Sequence, residues 1–258
     1  MHSELATTAH IAVRLPAPAV AKACVPVWTY ECAEEGGRIE VARWTDDGSL
    51  PLRTHFHEET QVTVVLSGVR SFHVGGQTLV VTAGHYVVIP AGWSHRAEAS
   101  SALISRGVNA YLREALLIRE PAVGSLALIE MKQHNLDYRA MAESILCRTG
   151  SGMRERDILK ARTVALAAIS SFEKLSDVAR GQGVTREAFS RRVAELLGMP
   201  PHRYRSIERL NRGRRRLRAG EDVATIAADL AFADQSHFTR LFRATFGTTP
   251  GRYQKGFA

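Results

Sequence analysis

The C-terminal part of the chain reads FADQSHFTRLFR at residues 232–243 and FGTTPGRY at residues 246–253. The same pattern occurs earlier in the chain, because Phe189 aligns with Phe238 and Gly198 with Gly247 at a constant spacing of 49 residues. The spacing is also kept by Arg191 and Arg240, Val193 and Phe242, Pro201 and Pro250, and Tyr204 and Tyr253. The last third of the chain therefore contains two copies of one supersecondary unit.

Each copy has the sequence pattern of a helix, a tight turn and a second helix. In the first copy, Val178 belongs to a short amphipathic helix, Gly183 suits the turn, and Thr185 is placed to cap the following helix. The second copy has Ala231 where a glycine is expected. Upstream of the turn the spacing is 48 residues, from Val178 to Ile226, so the turn of the second copy is one residue longer. The departure costs on the order of 1 kcal/mol if the turn needs a left-handed residue, unless the longer turn avoids the strain.

The segment between the two copies, Pro201 to Ala219, predicts a connector helix with Ile207, Leu210 and Leu217 on its apolar side. About 17 helical residues span about 26 Å, which places two recognition helices near one turn of DNA apart. The connector carries Arg203, Arg205, Arg209, Arg212, Arg214, Arg215, Arg216 and Arg218. We expect some of them to pair with Glu195, Glu208 or Glu221, and the group as a whole to attract DNA phosphates.

This tandem arrangement, together with the motif at residues 232–253, resembles the AraC/XylS family of transcriptional regulators. The resemblance implies that two helix-turn-helix units bind successive major grooves of double-stranded promoter DNA. It also implies RNA polymerase as a further partner and a small-molecule effector that controls DNA binding or the contact with polymerase.

Exposed positions of the two recognition helices are the predicted base-contacting residues. They are Arg186, Glu187, Ser190 and Arg191 in the first helix, and Gln235, Ser236 and Arg240 in the second. Arginine can bind the O6 and N7 atoms of guanine, glutamine the N6 and N7 atoms of adenine, and glutamate the N4 amino group of cytosine. The alternative at each position is a phosphate contact or a solvated side chain.

The N-terminal half has a different pattern, in which short β-rich runs between residues 61 and 89 are separated by glycines. Such runs predict a barrel or a sandwich. The sequences HFH at residues 55–57 and GHYVVIPAGWSH at residues 84–95 resemble the two cupin motifs. The second motif is complete, whereas the first has Gln61 where metal-binding cupins usually have a glutamate.

The expected fold class is therefore α+β, with a cupin-like β-barrel followed by an all-α domain of two helix-turn-helix units. We assign residues 1–109 to the barrel, of which 1–26 form a tail or leading strand, and residues 173–258 to the DNA-binding domain. Residues 110–172 are predicted to be a helical linker. Its apolar residues Leu126, Ile129, Met141, Ile145 and Leu146 pack on the barrel or form a homodimer interface, and periodicity does not separate these alternatives.

Two interpretations of the barrel histidines stay open. On a strand, His55 and His57 point to the same face. With His95 they form a three-nitrogen site for a divalent transition metal such as Zn, Ni, Fe or Mn, with Gln61 as a weaker oxygen ligand. In the alternative, the same four residues line an effector pocket that holds no metal. Aromatic residues that can line such a pocket are Phe72, Tyr86 and Trp93.

Charge and composition agree with a DNA-binding module joined to a neutral one. Residues 172–258 carry 17 Lys and Arg against 9 Asp and Glu, which accounts for the whole net charge of +8. Three scattered cysteines argue against disulfides and for a reducing, cytoplasmic compartment, and no apolar run is long enough to cross a membrane.

These observations predict an effector-responsive transcriptional regulator without enzyme activity. One alternative is a metal-dependent cupin enzyme fused to a DNA-binding module. The other is an architectural DNA-binding protein whose barrel is purely structural.

Overall fold

The computed structural model describes residues 27–32, 39–49, 52–99, 104–113, 120–126, 153–170 and 174–258. Within these ranges, nine β-strands are followed by seven α-helices, which confirms the predicted α+β class. The strands are β1 Val27–Cys32, β2 Ile39–Asp46, β3 Thr60–Ser67, β4 Val69–Val74, β5 Gln77–Thr82, β6 His85–Ile89, β7 His95–Ala99, β8 Ser105–Leu112 and β9 Ala122–Ser125.

The strands form two antiparallel sheets, in the orders β1-β2-β8-β3-β6-β9 and β5-β4-β7. Alternation along β3 directs Gln61 into the barrel interior, whereas Val62 and Val64 join a second apolar cluster on the other face of the sheet. An isolated bridge between His55 and His95 has both backbone hydrogen bonds, at 2.9 and 2.7 Å. This bridge brings the two cupin motifs into contact.

The barrel extends beyond the predicted boundary at residue 109. Strand β8 continues to Leu112 and pairs with β2 and β3, and β9 pairs with β6. The prediction that helical structure begins at residue 110 is therefore wrong for residues 110–112 and 122–125. Their partner strands supply backbone hydrogen bonds that local periodicity cannot reveal. Leu126 packs in the cluster of Val62 and Val64, whereas Ile129, Met141, Ile145, Leu146 and the predicted tail 1–26 lie outside the described residues.

The helices are α1 Met153–Ser170, α2 Leu175–Gly181, α3 Arg186–Leu197, α4 Pro201–Arg218, α5 Val223–Asp229, α6 Gln235–Phe246 and α7 Pro250–Lys255. The pairs α2–α3 and α5–α6 are the two predicted helix-turn-helix units, and α4 is the predicted connector. In the described part of the chain, no helix has the length and apolarity needed to cross a membrane.

Local sequence explains how both units begin and turn. The Thr185 hydroxyl accepts a hydrogen bond from the backbone N–H of Ala188 at the start of α3, and Asp234 caps α6 in the same way. Gly183 has a φ of 69° in the first turn, and Ala231 has a φ of 55° in the second. Ala231 is thus left-handed, which decides between the two alternatives for this turn, and it is the one non-glycine residue with positive φ among those described.

The barrel packs directly on the helical domain, and one apolar cluster runs through both, from Trp28 and Phe72 to Leu210 and Phe242. In addition, the side-chain amide of Asn211 on α4 donates a hydrogen bond to the backbone carbonyl of Phe56, at 3.0 Å. The barrel and the connector helix are therefore continuous in the folded core.

Candidate functional site

The predicted base-contacting residues lie on the outer sides of α3 and α6. The inner sides carry Phe189, Val193, Phe238 and Phe242, which are all buried. The predicted residues are Arg186, Glu187, Ser190, Arg191, Gln235, Ser236 and Arg240; Ser190 is half-buried and the other six are exposed. The structure gathers them into one exposed group on each recognition helix, and their contact with bases stays a prediction.

Both recognition helices are held at their C-terminal ends by hydroxyl groups of the barrel. The Ser94 hydroxyl donates to the backbone carbonyl of Leu197, the last residue of α3. The Tyr30 hydroxyl donates to the carbonyl of Phe246, the last residue of α6, at 2.7 Å. Because a 12-residue helix is about 18 Å long, the N-terminal ends lie far from these contacts. N-terminal residues of recognition helices are the ones that contact bases in helix-turn-helix proteins.

The connector arginines mostly bind protein groups. Two arginines donate to backbone carbonyls: Arg205 to that of Ile169, and Arg209 to those of Leu230 and Ala231. Three others form ion pairs: Arg212 with Glu208, Arg215 with Glu58, and Arg216 with Glu221 and Asp229. Arg214 and Arg218 both bind the carboxylates of Glu40 and Glu59. The predicted pairs with Glu208 and Glu221 are confirmed. The prediction that the whole group attracts phosphates is wrong for Arg214 and Arg218. Both side chains are enclosed between the domains, where they pair with Glu40 and Glu59 of the barrel.

The three predicted histidines come together in the barrel interior. His55, His57 and His95 are all buried, and one ring nitrogen from each lies within 4.8 Å of the others. The Nε2 atoms of His55 and His57 are 3.1 Å apart. Gln61 is buried beside them and donates a hydrogen bond from its amide nitrogen to the Thr63 hydroxyl at 2.8 Å.

The hydrogen bonds of the rings determine which nitrogen carries the proton. The Nδ1 atoms of His55 and His95 lie 2.7 and 3.0 Å from the backbone carbonyls of Arg53 and Trp93. Carbonyls only accept hydrogen bonds, so these Nδ1 atoms are protonated and both Nε2 atoms carry a lone pair, which has no hydrogen-bond partner among the described residues in His95 and faces Nε2 of His57 in His55. Metal-binding histidines are commonly oriented by such contacts. Two of the three predicted ligands therefore fit a metal ion.

His57 has the opposite arrangement. Its Nδ1 lies 2.9 Å from Nη1 of Arg214. A guanidinium group only donates hydrogen bonds, so Nδ1 of His57 is the acceptor and its proton lies on Nε2. That Nε2–H is the donor in the bond to His55. As long as Arg214 holds this position, His57 has no lone pair to offer to a metal.

Burial keeps the three histidines neutral. It lowers the pKa of His95 to about 4, and it lowers the pKa values of His55 and His57 well below their usual range. Repulsion from His95 lowers the pKa of His55 further, and the charge of Arg214 lowers that of His57 further.

Arg214 is the centre of a buried ion-pair cluster between the domains. Its Nη2 lies 2.7 Å from an oxygen of Glu40, and its Nη1 lies 3.2 Å from Glu59. Arg218 binds the same two carboxylates, and the Tyr253 hydroxyl donates to Glu40 at 2.7 Å. Burial lowers the pKa of Arg214, but the two carboxylates outweigh that effect and raise it well above the usual range.

The sequence pattern does not predict this cluster, because Arg214 is one of eight arginines on the connector and no motif marks Glu40 or Glu59. Glu40 lies 174 residues from Arg214, and no local pattern reports a contact over that separation.

A small cavity adjoins the histidines. Its free volume is about 10 Å³, which is about the space that one water molecule needs. It is lined by Gln61 and the three histidines, by Arg70 and Phe72 from the smaller sheet, and by Thr245 and Phe246 from α6. Of the predicted aromatic residues only Phe72 is part of this lining; Tyr86 belongs to the outer cluster, and Trp93 stacks on Arg162 at 4.3 Å.

Four buried polar atoms that line the cavity have no hydrogen-bond partner within the described residues. They are Nε1 of Trp28, Oε1 of Gln61, Nη2 of Arg70 and Nε2 of His95. Arg70 is otherwise fixed by Asp46 at 2.8 Å and by the ring of Trp44, whose centroid lies at 4.2 Å. Leaving buried polar groups unpaired is costly, so a polar atom placed in the cavity would be stabilised by these groups.

Comparison with known domain families agrees with this architecture. The helix-turn-helix domain family matches residues 178–256, and the cupin domain family matches residues 46–104.

Two curated relatives match parts of the chain. The HTH-type transcriptional activator RhaS of Escherichia fergusonii is 39% identical over 67 residues, which are 26% of this chain and 24% of RhaS. The transcriptional activator NphR of a Rhodococcus species is 30% identical over 122 residues, which are 46% of this chain and 36% of NphR. The chain thus spans about a quarter and about a third of the lengths of these relatives.

Among solved structures, ToxT from Vibrio cholerae O395 matches with a TM-score of 0.52 and 11% identity, over 86% of this chain and 98% of ToxT. ToxT from strain SCE256, solved with an unsaturated fatty acid bound, matches with a TM-score of 0.51 and 13% identity, over 86% of this chain and 96% of ToxT. At these identities the likeness shows the fold alone. The chain therefore combines a cupin domain with a C-terminal domain that is similar to AraC-type helix-turn-helix domains.

Proposed function

We propose that this protein is a sequence-specific DNA-binding transcriptional regulator whose barrel binds an effector. One observation carries the proposal: barrel hydroxyls hold the C-terminal carbonyls of both recognition helices, and the predicted base-contacting side chains on those helices are exposed. Promoter DNA is the partner, with α3 and α6 in successive major grooves. One chain carries both recognition helices, so reading two grooves does not require a homodimer.

The relatives support a role in transcription. RhaS and NphR are both named as transcriptional activators. Activation involves recruitment of the transcription machinery, so RNA polymerase is the second partner that we propose.

The cavity beside the histidines is the proposed effector site. Its four unpartnered polar atoms can bind donors and acceptors of a small polar molecule. Thr245 and Phe246, at the end of the second recognition helix, form part of its wall. Because the free space suits only about one water molecule, a larger effector enters only if these residues move. Effector binding would thereby reposition α6. The fatty acid bound to ToxT supports small-molecule binding in a protein of this architecture.

We propose no catalytic role for the barrel. Glu59 is the carboxylate next to His57 in the interdomain cluster, and its two oxygens bind Arg214 and Arg218. Neither oxygen is free to act as a general base.

The test is selection of binding sites from a random pool of double-stranded DNA with the full chain. We expect an enriched sequence with two half-sites about 10 base pairs apart, centre to centre. A selection that enriches no sequence contradicts the proposal.

A further inference from the structure

The three buried histidines do not carry their protons on the same ring nitrogen. His55 and His95 each bond a backbone carbonyl through Nδ1, so both carry a lone pair on Nε2, and that of His55 accepts the hydrogen bond from His57. His57 instead accepts a hydrogen bond from Arg214 on Nδ1, so its Nε2 carries the proton. The residue that causes the difference is not part of the barrel, because Arg214 belongs to the connector helix α4.

A divalent metal held by all three Nε2 atoms requires the other tautomer of His57. Its Nε2 would need a lone pair, so the proton would have to lie on Nδ1. That proton would face an N–H of Arg214 across the present 2.9 Å, and two donors cannot share a hydrogen bond. The positive guanidinium at this position also repels a cation.

We propose that a divalent transition metal and Arg214 compete for His57, so that the three-histidine site binds metal only when the connector helix leaves the barrel. Arg214 then determines metal affinity although it is not a ligand. The inference rests on the proposed function only in treating the barrel as the sensor. Metal binding in the barrel would thereby change the position of the helix that joins the two recognition units.

Because of its position, Arg214 cannot release His57 without a movement of helix α4. The side chain is 2% exposed and is enclosed by Glu40, Glu59 and the ring of Tyr111, with the guanidinium carbon 4.5 Å from the ring centroid. It cannot leave His57 for solvent by a change of rotamer alone. Release of His57 therefore displaces this part of α4, and the neighbouring contact of Asn211 with Phe56 is expected to break with it.

Zinc affinity of full-length variants tests the competition. Zn²⁺ is titrated against a chromophoric chelator with wild type, Arg214→Met and Arg218→Met. Arg218 is the matched control, because it lies on the same helix and binds the same two carboxylates. We expect Arg214→Met to bind zinc about 10–100-fold more tightly than wild type, the range by which groups behind a metal ligand change affinity, and Arg218→Met to stay near wild type. Adding His57→Ala to Arg214→Met should abolish the gain.

Three results of this titration overturn the proposal. They are equal affinities of wild type and Arg214→Met, equal gains in both arginine variants, and no zinc binding by any of the proteins. DNA selection with metal-free protein is a separate measurement, so these results leave the proposed regulatory function standing.

A second measurement uses the wild-type protein and does not depend on the folding of a variant. Nitrogen-15 NMR of labelled histidines distinguishes the two neutral tautomers. Without metal, we expect His57 to be protonated on Nε2, and His55 and His95 on Nδ1. Zinc saturation should move the His57 proton to Nδ1 and increase hydrogen exchange in α4 around Arg214. A His57 that is protonated on Nδ1 before metal is added refutes the competition.

Discussion

The Tyr30 hydroxyl donates a hydrogen bond to the backbone carbonyl of Phe246, with 2.7 Å between the two oxygens. The last carbonyls of a helix have no partner within it, so this bond satisfies a group that α6 leaves free. Ser94 does the same for Leu197, which occupies the equivalent position of the first unit, 49 residues earlier. The barrel therefore binds the same end of both recognition helices, and we expect these two bonds to contribute to the relative position of the helices.

Replacement of Tyr30 by phenylalanine tests this arrangement. We expect Tyr30→Phe to lower the free energy of unfolding by about 1–2 kcal/mol in urea denaturation, because the Phe246 carbonyl loses its donor in a buried setting. We also expect DNA selection to accept a wider range of half-site spacings. Thr29→Val, an exposed change on the same strand, is the control and should alter neither quantity. An unchanged spacing preference in Tyr30→Phe would show that the barrel does not position α6.

Neutralisation of Glu40 tests the interdomain cluster. Glu40→Gln leaves Arg214 and Arg218 buried with only Glu59 as a charged partner, so we expect a loss of about 3–5 kcal/mol in urea denaturation. Glu58→Gln removes a carboxylate that binds Arg215 at the surface, and we expect less than about 1 kcal/mol. Similar losses in the two variants would contradict a structural role for the buried cluster.

The two turns of the repeat allow alanine and glycine to be exchanged in both directions. Ala231→Gly relieves a left-handed alanine but makes the unfolded chain more flexible, so we expect a net gain of up to about 1 kcal/mol. Gly183→Ala should lose about 1–2 kcal/mol. An added Cβ at Gly183 meets no atom within 4 Å, so the loss measures backbone strain alone. Thermal unfolding of both variants checks the pair, and a less stable Ala231→Gly would disprove the strain at this turn.

The recognition helices should each specify one half-site. We expect Arg186→Ala to relax base preference in one half of the selected sequence and Gln235→Ala in the other, each costing about 1–3 kcal/mol of binding. Arg180→Ala is a control on the exposed surface of α2. If Arg180 binds only phosphate, its loss lowers affinity evenly across sequences and leaves the consensus unchanged. An unchanged consensus in Arg186→Ala and Gln235→Ala would remove these residues from the base-reading set.

Much of the fold was predictable because its signals are local. Thr185, Gly183 and the 49-residue repeat report caps, turns and helix faces within a few residues, and the structure confirms each of them. The limits of the barrel were not predictable in the same way. The end of β8 and the whole of β9 depend on pairing with strands far away in sequence, whereas the local pattern of these residues predicts a helical linker.

Spacing and alternation within single elements are enough to place the two helix-turn-helix units, the cupin motifs and the candidate ligands His55, His57 and His95. The contacts between these parts come from the tertiary structure. It paired Arg214 with Glu40 and His57 instead of with DNA, and it placed Phe246 against the barrel cavity. Such contacts join residues that are more than 150 positions apart, and they form because buried charges and helix ends need partners that no neighbouring residue supplies.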